Sequence, residues 1–230
     1  MGLGEDFTKS VRKIFRETWT TRKGRKVPEP KELGLGNNAV ELDGTVLYAD
    51  LDDSTNLVDS HKSKFAAKIY KAYLSCAAKV IRAEDGIITS YDGDRIMAVY
   101  IGEEKDTRAA RSALKINYTV TEIINPILKK CHPTTKYRVK QVVGIDTSKL
   151  FVARTGIRKS NDLVWVGRAA NYAAKLCLGS SRHPSRLTKA VYNKLSDSVK
   201  YVDDGNRTPM WKKATWDNMT IYRSTCTWPI

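Results

Sequence analysis

Two aspartates, Asp50 and Asp94, lie in stretches of sequence that otherwise predict buried strands. Asp50 lies in the apolar run 46–51, and Asp94 precedes the apolar run 96–99. An ionised carboxylate in an apolar strand is costly unless it is paired or binds a cation. If the two strands are neighbours in one sheet, their carboxylates form a site for a divalent metal ion, which prefers oxygen ligands. Such a site is one way in which proteins bind the phosphates of nucleoside triphosphates.

The residues that follow Asp50 predict a binding site for phosphate groups. Leu51 points to the other face of the strand, and its backbone carbonyl is available as a further metal ligand. Asp53, Ser54 and Thr55 then begin a helix, and backbone amides at a helix N-terminus favour anions. These three residues are equally well explained as a simple helix cap.

Asp94 has a second explanation, because it follows a typical tight-turn dipeptide, Asp92-Gly93. The turn accounts for Asp92 and Gly93, whereas Asp94 is predicted to begin the next strand. Its pairing with the strand of Asp50 favours a metal site over a simple turn.

A third polar group lies on the predicted helix 167–178. Asn171 and Lys175 are four residues apart and therefore face the same side of that helix. An amide can orient a ribose, and an ammonium group can neutralise charge that develops on a phosphate. Taken alone, an Asn and a Lys on a helix are more often only surface residues.

The order of the predicted elements favours an α+β fold. The predicted strands cover residues 46–51, 87–101 (a hairpin), 139–146, 150–154, 163–166, 199–203 and 219–223. The predicted helices cover residues 54–84, 104–131, 167–178 and 187–195. This βαββαβ order predicts a ferredoxin-like sandwich with a mainly antiparallel sheet and C-terminal additions.

Residues 1–42 are predicted to form a separate N-terminal part. Apolar residues at helical spacing over 5–19 predict an amphipathic helix, which could cap the domain or pack against a second copy of the chain. The basic segment 20–38, which contains Pro and Gly, is predicted to be a linker or a wrapping arm. Residues 43–230 then form one domain that holds the candidate site.

The formal net charge of +15 over 230 residues is the strongest signal in the composition. It fits nucleic acid, an anionic membrane surface or a polyphosphate substrate, so charge alone does not identify the partner. No apolar run is long enough to span a membrane and no secretory signal is visible, so a cytoplasmic location is expected. The four cysteines and three histidines show no metal-binding spacing, and the cysteines are predicted to be free thiols.

Together these segments resemble the class III nucleotidyl cyclases over about residues 43–223. Residues 49–55 are similar to the first metal motif of that family, and residues 93–99 are similar to the second. Residues 144–147 and 167–171 are similar to the strand and helix that complete the opposite half of the site. The resemblance implies a class III cyclase core with the βαββαβ order.

The resemblance also implies a homodimer with two composite active sites. Asp50, Leu51 and Asp94 of one subunit would hold two divalent ions, Mg²⁺ or Mn²⁺, and Asn171 and Lys175 would come from the other subunit. The implied reaction is attack of the ribose 3′-hydroxyl on the α-phosphate with loss of pyrophosphate.

The chain departs from the family at the residues that recognise the base. Purine-reading positions of adenylyl and guanylyl cyclases fall on Ser90 and Val164, and neither purine pattern is present. A pocket of these residues with Tyr48, Tyr91 and Trp165 suits a pyrimidine better.

A further departure concerns the transition-state arginine of the family. This chain has Lys175 at the position of that arginine. The lysine keeps the positive charge but lacks the bidentate geometry of a guanidinium group.

These departures resemble the bacterial pyrimidine cyclases of the Pycsar anti-phage defence systems. The resemblance implies UTP as substrate and 3′,5′-cyclic UMP as product, with CTP and cyclic CMP as the alternative. It also implies a separate anti-phage effector that the cyclic nucleotide activates without a stable complex.

Two other functions stay open from the residues alone. A palm-type nucleotidyltransferase shares the βαββαβ core and the paired carboxylates, and its acceptor could contact the basic block 22–26. A non-catalytic module that binds nucleotide or nucleic acid is disfavoured, because such a module has no need for two costly carboxylates. Nucleic acid and membrane are not expected as partners.

Overall fold

The computed structural model describes residues 2–230 as α-helices packed on both faces of one nine-stranded sheet. The strands are β1 (Thr20–Lys23), β2 (Asn38–Leu51), β3 (Ile87–Asp92), β4 (Arg95–Ile101), β5 (Gln141–Ile157), β6 (Ser160–Val166), β7 (Ser185–Thr188), β8 (Lys212–Trp216) and β9 (Met219–Ser224). The helices are α1 (Leu3–Arg16), α2 (Ser54–Ser60), α3 (Ser63–Ala83), α4 (Lys105–Tyr118), α5 (Asn125–Cys131), α6 (Arg168–Leu176), α7 (Lys189–Tyr192) and α8 (Asp197–Lys200). In residues 2–230, no helix is long and apolar enough to cross a bilayer.

The sheet has the order β3-β4-β2-β5-β7-β9-β8, which confirms the predicted α+β class. β1 pairs with the first part of β2, and β6 pairs with the second half of β5. The β1–β2 and β5–β7 pairs are parallel and the other pairs are antiparallel, as expected for a mainly antiparallel sheet. The long β2–β5 ladder runs through the centre from Ala39↔Ala153 to Leu51↔Gln141.

Each face of the sheet carries its own apolar core, because successive residues of β2 point to opposite sides. Leu47, Ala49 and Leu51 face helices α3 and α4 in the larger cluster. Val40, Leu42, Val46 and the half-buried Tyr48 face the other way, in a smaller cluster that α6 covers. Asp50 therefore lies on the α6 side of the sheet.

Two separate strands were predicted at residues 139–146 and 150–154. This division is wrong, because β5 is continuous from Gln141 to Ile157. The polar residues at 147–149 indicated a turn. In the folded protein Thr45 instead donates its hydroxyl proton to Asp106 at 2.9 Å, and the Thr45 and Thr147 hydroxyl oxygens lie 3.1 Å apart inside the ladder. The polar side chains are therefore satisfied without a turn.

Several element boundaries differ from the predictions. The arm 20–38 contributes the short strand β1, whose four residues are all exposed and show no apolar alternation. The expected helix 54–84 is two helices that meet near His61. Helix α7 is shorter than predicted and follows strand β7, which had no prediction, and β8 had none either.

The expected strand at 199–203 is wrong, because helix α8 occupies residues 197–200. Val199 is buried within it and accepts a bond from the Trp211 indole at 2.8 Å, so burial of one valine there does not require a strand. The predicted helix 104–131 is confirmed with a π-helical stretch, Thr119–Ile124, between α4 and α5. The amphipathic N-terminal helix is confirmed as α1, although β2 begins at Asn38, before the predicted domain boundary at 42/43.

Candidate active site

The two candidate metal-binding aspartates lie at the same end of two neighbouring strands. β2 and β4 are antiparallel, with Ala49 opposite Ile96. Asp50 and Asp94 each lie one or two residues beyond that pair, so the sheet brings them together as predicted. Asp94 does not begin β4, however, because β3 ends at Asp92 and Gly93-Asp94 form the tight turn.

Arg95 neutralises Asp50 and is a residue that the sequence analysis missed. Its Nη2 and Nε donate to Asp50 Oδ2 at 2.6 Å and 3.1 Å. Burial raises the pKa of Asp50, and the guanidinium group of Arg95 opposes that rise. The register offered a signal, since continuing the Ala49↔Ile96 pairing by one residue places Arg95 directly opposite Asp50.

Asp94 supports the metal-site interpretation through an unsatisfied oxygen. Its Oδ2 atom is buried and has no hydrogen-bond partner within residues 2–230. A buried carboxylate oxygen without a partner is costly, and a bound cation removes that cost. Asp50 and Asp94 therefore fit a divalent ion that takes two carboxylates and completes its shell with water and phosphate. The part of the chain described by the structure has no group of three acidic, His or Cys residues of that kind.

Two buried tyrosine hydroxyls near these carboxylates were also not predicted from the sequence. The hydroxyls of Tyr73 and Tyr137 have no hydrogen-bond partner among residues 2–230. Burial raises the pKa of Tyr137 to about 12, and the negative charge of Asp53 adds to the rise. Both tyrosines lie in predicted helix or loop sequence, where nothing in the local pattern distinguished them from core residues.

The predicted phosphate-binding residues form the start of helix α2. Asp53 precedes the helix with a left-handed backbone, at φ 62°, and accepts a bond from the Asn56 side chain at 3.0 Å. Ser54 is half-buried and Thr55 is exposed. These residues follow directly on the strand of Asp50, as the sequence predicted.

The candidate base-binding residues are not all brought together in one chain. Tyr48 is half-buried on β2, next to the β3–β4 hairpin that carries Ser90 and Tyr91. Trp165 lies opposite Val152, which in turn lies opposite Val40. Trp165 is therefore level with Val40 on strand β2. Val40 and Tyr48 are eight residues apart, which corresponds to about 26 Å along the strand.

Val164 and Trp165 also point to opposite faces of β6. Burial alternates along that strand, so that Val164 is exposed and Trp165 packs against the smaller core. Only one of the two can therefore contact a given base.

Helix α6 presents Asn171 and Lys175 to solvent and away from its own sheet. Its small residues Ala169 and Ala173 are buried against β5, and both candidate catalytic residues are exposed. The helix approaches β5 so closely that a Cβ on Gly144 would lie 2.2 Å from the Ala173 carbonyl oxygen. Asn171 and Lys175 thus share one face, as predicted, but do not converge on the carboxylates of their own chain.

Both ends of α6 are fixed by buried polar contacts. At its start, Arg168 Nε donates to the fully buried Asp146 at 3.0 Å, and the Ala169 amide donates to the Ser148 hydroxyl at 3.0 Å. At its end, Arg186 Nη1 donates to the carbonyls of Leu176 at 3.0 Å and of Leu178 at 2.6 Å. The exposed face of α6 is therefore held in a defined position.

The sequence is similar to two curated bacterial proteins along its whole length. It is 51% identical to a uridylate cyclase of Xanthomonas perforans over 234 residues, which cover 100% of both chains. It is 50% identical to a uridylate cyclase of Burkholderia cepacia over 99% of this chain and 98% of that protein. No family model matches the chain.

Solved structures of nucleotidyl cyclases share the fold. The guanylyl cyclase Cya2 matches 82% of this chain and 94% of its own, with a TM-score of 0.66 and 16% identity. A dimeric guanylyl cyclase domain from the aquatic fungus Blastocladiella emersonii matches 81% of this chain and 96% of its own, with a TM-score of 0.60 and 15% identity. These structures confirm the class III cyclase architecture, and the closer sequence relatives give the family: this chain belongs to the uridylate cyclases.

Proposed function

We propose that the protein is a nucleotidyl cyclase that converts UTP to 3′,5′-cyclic UMP and pyrophosphate. The observation that carries this proposal is the 51% identity, over the full length of both chains, to a uridylate cyclase. The paired carboxylates at the end of β2 and in the β3–β4 turn give that reaction a site. Cyclic CMP from CTP is the alternative product, and the identity of the relatives does not favour it.

Asp50, Asp94 and the Leu51 carbonyl are the groups that would hold two divalent ions, Mg²⁺ or Mn²⁺. When bound, such ions lower the pKa of the ribose 3′-hydroxyl and neutralise charge on the phosphates. Arg95 favours the ionised form of Asp50, although burial outweighs it and the pKa of Asp50 is raised. Both Arg95 bonds go to Oδ2, so Oδ1 is the Asp50 oxygen that would ligate a metal.

The remaining contacts to the substrate come from residues that orient it. The amides after Asp53, with the hydroxyls of Ser54 and Thr55, are placed to receive the triphosphate. Asn171 orients the ribose so that its 3′-hydroxyl faces the α-phosphate. Lys175 neutralises the charge that accumulates there as the bond to pyrophosphate breaks.

The placement of α6 supports a composite active site. Asn171 and Lys175 are exposed and face away from their own sheet, while Asp50 and Asp94 lie at its end. A second subunit that faces the first would supply the missing residues to each site. We therefore assign the active form to a homodimer with two sites.

The pyrimidine is proposed to lie against Tyr48 and Ser90, which share the α6 face of the sheet because both lie opposite Met97. The expectation for Tyr91 is wrong, because Tyr91 lies opposite Ile96 and faces the other side. Tyr48 fills space at the base of this region, and burial raises the pKa of its hydroxyl, which therefore stays protonated as a donor for a uracil carbonyl. The other subunit would close the pocket with Val164, its exposed residue on β6, rather than with the packed Trp165.

The proposed product acts as a second messenger. Cyclic UMP would diffuse to a separate anti-phage effector in the cytoplasm, and no stable complex with that effector is required.

Incubation of the protein with each of the four nucleoside triphosphates tests the proposed function. With Mn²⁺ or Mg²⁺ and no template or acceptor, UTP should give cyclic UMP and pyrophosphate, identified by chromatography and mass spectrometry. The Asp94→Ala variant should form no product, and Asp92→Ala, in the same turn, should keep activity. Release of cyclic CMP as the main product, or a requirement for an acceptor, would contradict the assignment.

A further inference from the structure

A second pocket lies on the α6 side of the sheet, outside the metal site. It is a cavity of about 430 Å³ between the loop that follows α6 and the strands β8 and β9. An adjoining cavity of about 450 Å³ shares His183 and Arg223 with it. None of the residues that line either cavity is Asp50, Asp94, Asn171 or Lys175.

The two cavities are lined by basic residues and by no acidic residue. Among residues 2–230, the lining contains neither Asp nor Glu, and its basic members are Arg182, His183, Arg186, Lys212, Lys213 and Arg223. Asp52, which lies outside the lining, acts on Arg186. Like charges held close together still raise the electrostatic energy of the fold, and a bound anion relieves that cost.

Arg223 lines both cavities and carries a donor that is unpaired in the part of the chain that the structure describes. Its Nε is buried and has no hydrogen-bond partner within residues 2–230. Arg186, opposite it on β7, donates to backbone carbonyls of the α6–β7 region and is thereby occupied. A buried guanidinium N–H without an acceptor is unfavourable, and phosphate oxygens match its geometry.

The pKa of His183 also reflects this cluster of positive charges. Burial lowers the pKa of His183, and the positive charges of Arg223, Arg186, Lys212 and Arg182 lower it further. Four cationic groups therefore act on one imidazole at the boundary of the two cavities.

We propose that the two adjoining cavities together bind a phosphate-bearing anion. Its ligands are Arg182 from the first cavity, Lys212 from the second and Arg223, which lines both. The volume of the first cavity lies within the usual range for small-molecule sites, roughly 300–1,000 Å³. The side chain of Trp216 lines this cavity. The pocket borders the loop whose Ser181 amide donates to Asp52 at 3.2 Å, two residues from Asp50. A bound anion would thus contact the α6–β7 loop, which is hydrogen-bonded to the residue that follows the metal-site strand.

Calorimetric titration with inorganic pyrophosphate in the presence of a metal chelator tests this proposal. Wild-type protein should bind pyrophosphate saturably, and the Asp50→Ala, Asp94→Ala double variant should bind it equally well. Arg223→Gln and Arg182→Gln should each weaken binding about tenfold, because each removes a charge-assisted hydrogen bond. Arg82→Gln, an exposed arginine on α3 at the opposite face of the sheet, is the matched control and should bind as wild type does.

The outcomes separate this pocket from the cyclase site. Absence of saturable binding, or an equal loss in Arg82→Gln, would overturn the proposal. Loss of binding in the double aspartate variant would place the anion in the metal site and also overturn it. Arg182 is exposed, so its variant remains informative if Arg223→Gln proves unstable in a thermal melt.

Parallel titrations with cyclic UMP and with a short single-stranded RNA identify the source of the phosphate. Binding of cyclic UMP that is weakened by Arg223→Gln would support a nucleotide ligand. RNA binding much tighter than pyrophosphate binding, with the same dependence on Arg182 and Arg223, would replace the small anion by nucleic acid and contradict the proposal.

Discussion

At the scale of single residues, Asp50 shows a conflict between stability and function. Its side chain is only 14% exposed, and Arg95 is its one ion-pair partner among residues 2–230. Burial nevertheless outweighs the guanidinium group, because the net effect is a raised pKa. The ionised carboxylate is therefore retained at a cost to the fold, as expected for a residue that binds a metal.

The Asp50→Asn variant should be at least as stable as wild type without metal, although it loses metal binding. A raised pKa means that the folded protein binds this proton more tightly than the unfolded chain does. The stabilising contribution of Asp50 is thus complete below its ordinary pKa of 3.8 and is lost as pH rises through the higher folded value. The asparagine variant should therefore melt no lower than wild type at pH 7, and the difference should disappear below pH 3.8.

Thermal melts in chelator across this pH range make the measurement. Asp92→Asn, an exposed aspartate of the same hairpin, controls for the change in net charge. A clearly lower melting temperature for Asp50→Asn at pH 7 would mean that the Arg95 pair dominates over burial, contrary to this account.

At the scale of elements, helix α6 depends on buried contacts made by β5. Asp146 is fully buried and accepts bonds from Arg168 and Thr188. Replacement by Ala removes the buried acceptor of the Thr188 hydroxyl, whereas Arg168 is 48% exposed and is then solvated by water, so the expected cost is about 1–3 kcal/mol. Urea unfolding should show that loss for Asp146→Ala.

The matched control for this measurement is Asp43→Ala. Asp43 pairs with Lys105 at 3.0 Å, but its side chain is 63% exposed. A surface pair of this kind contributes only about 0–1 kcal/mol. Equal destabilisation by the two substitutions would show that Asp146 does not fix α6.

Helix α1 should contribute little to the stability of the core. None of its residues is buried, and Phe7, Val11 and Ile14 are about half exposed or more. Its contacts with the domain include two bonds from the Asn37 side chain, to the carbonyls of Ile14 and Glu17. Deletion of residues 2–16 should therefore shift the melting temperature of the core by no more than about 2 °C. A larger fall would show that the apolar face of α1 is covered in solution.

The sequence predicted those elements whose own pattern determines them. Periodicity located α1, α3, α6 and the β3–β4 hairpin, because each has a strong apolar face or turn signal. It did not locate β1, whose exposed Thr and Lys residues pair only through the backbone. It also divided β5 at Thr147, because satisfaction of that hydroxyl depends on Thr45, which lies far away in the chain.

At the scale of the whole molecule, the site is only partly determined by one chain. Asp50 and Asp94 could be paired from sequence because β2 carries Asp50 and the turn that leads into the neighbouring strand β4 carries Asp94. Arg95 was missed because its role depends on cross-strand register, and Trp165 was included because side-chain direction on β6 was not considered. Asn171 and Lys175 face away from the carboxylates of their own chain, so the role proposed for them requires a second subunit.

The central claim is that each active site combines residues of two subunits. Asp94→Ala and Lys175→Ala chains should each be inactive as homodimers, whereas a heterodimer that is purified through two different tags retains one intact site. It should form cyclic UMP at about half the wild-type rate per dimer, as two-fold symmetry requires. No recovery of activity in the heterodimer would contradict the composite site and place all four residues in one subunit.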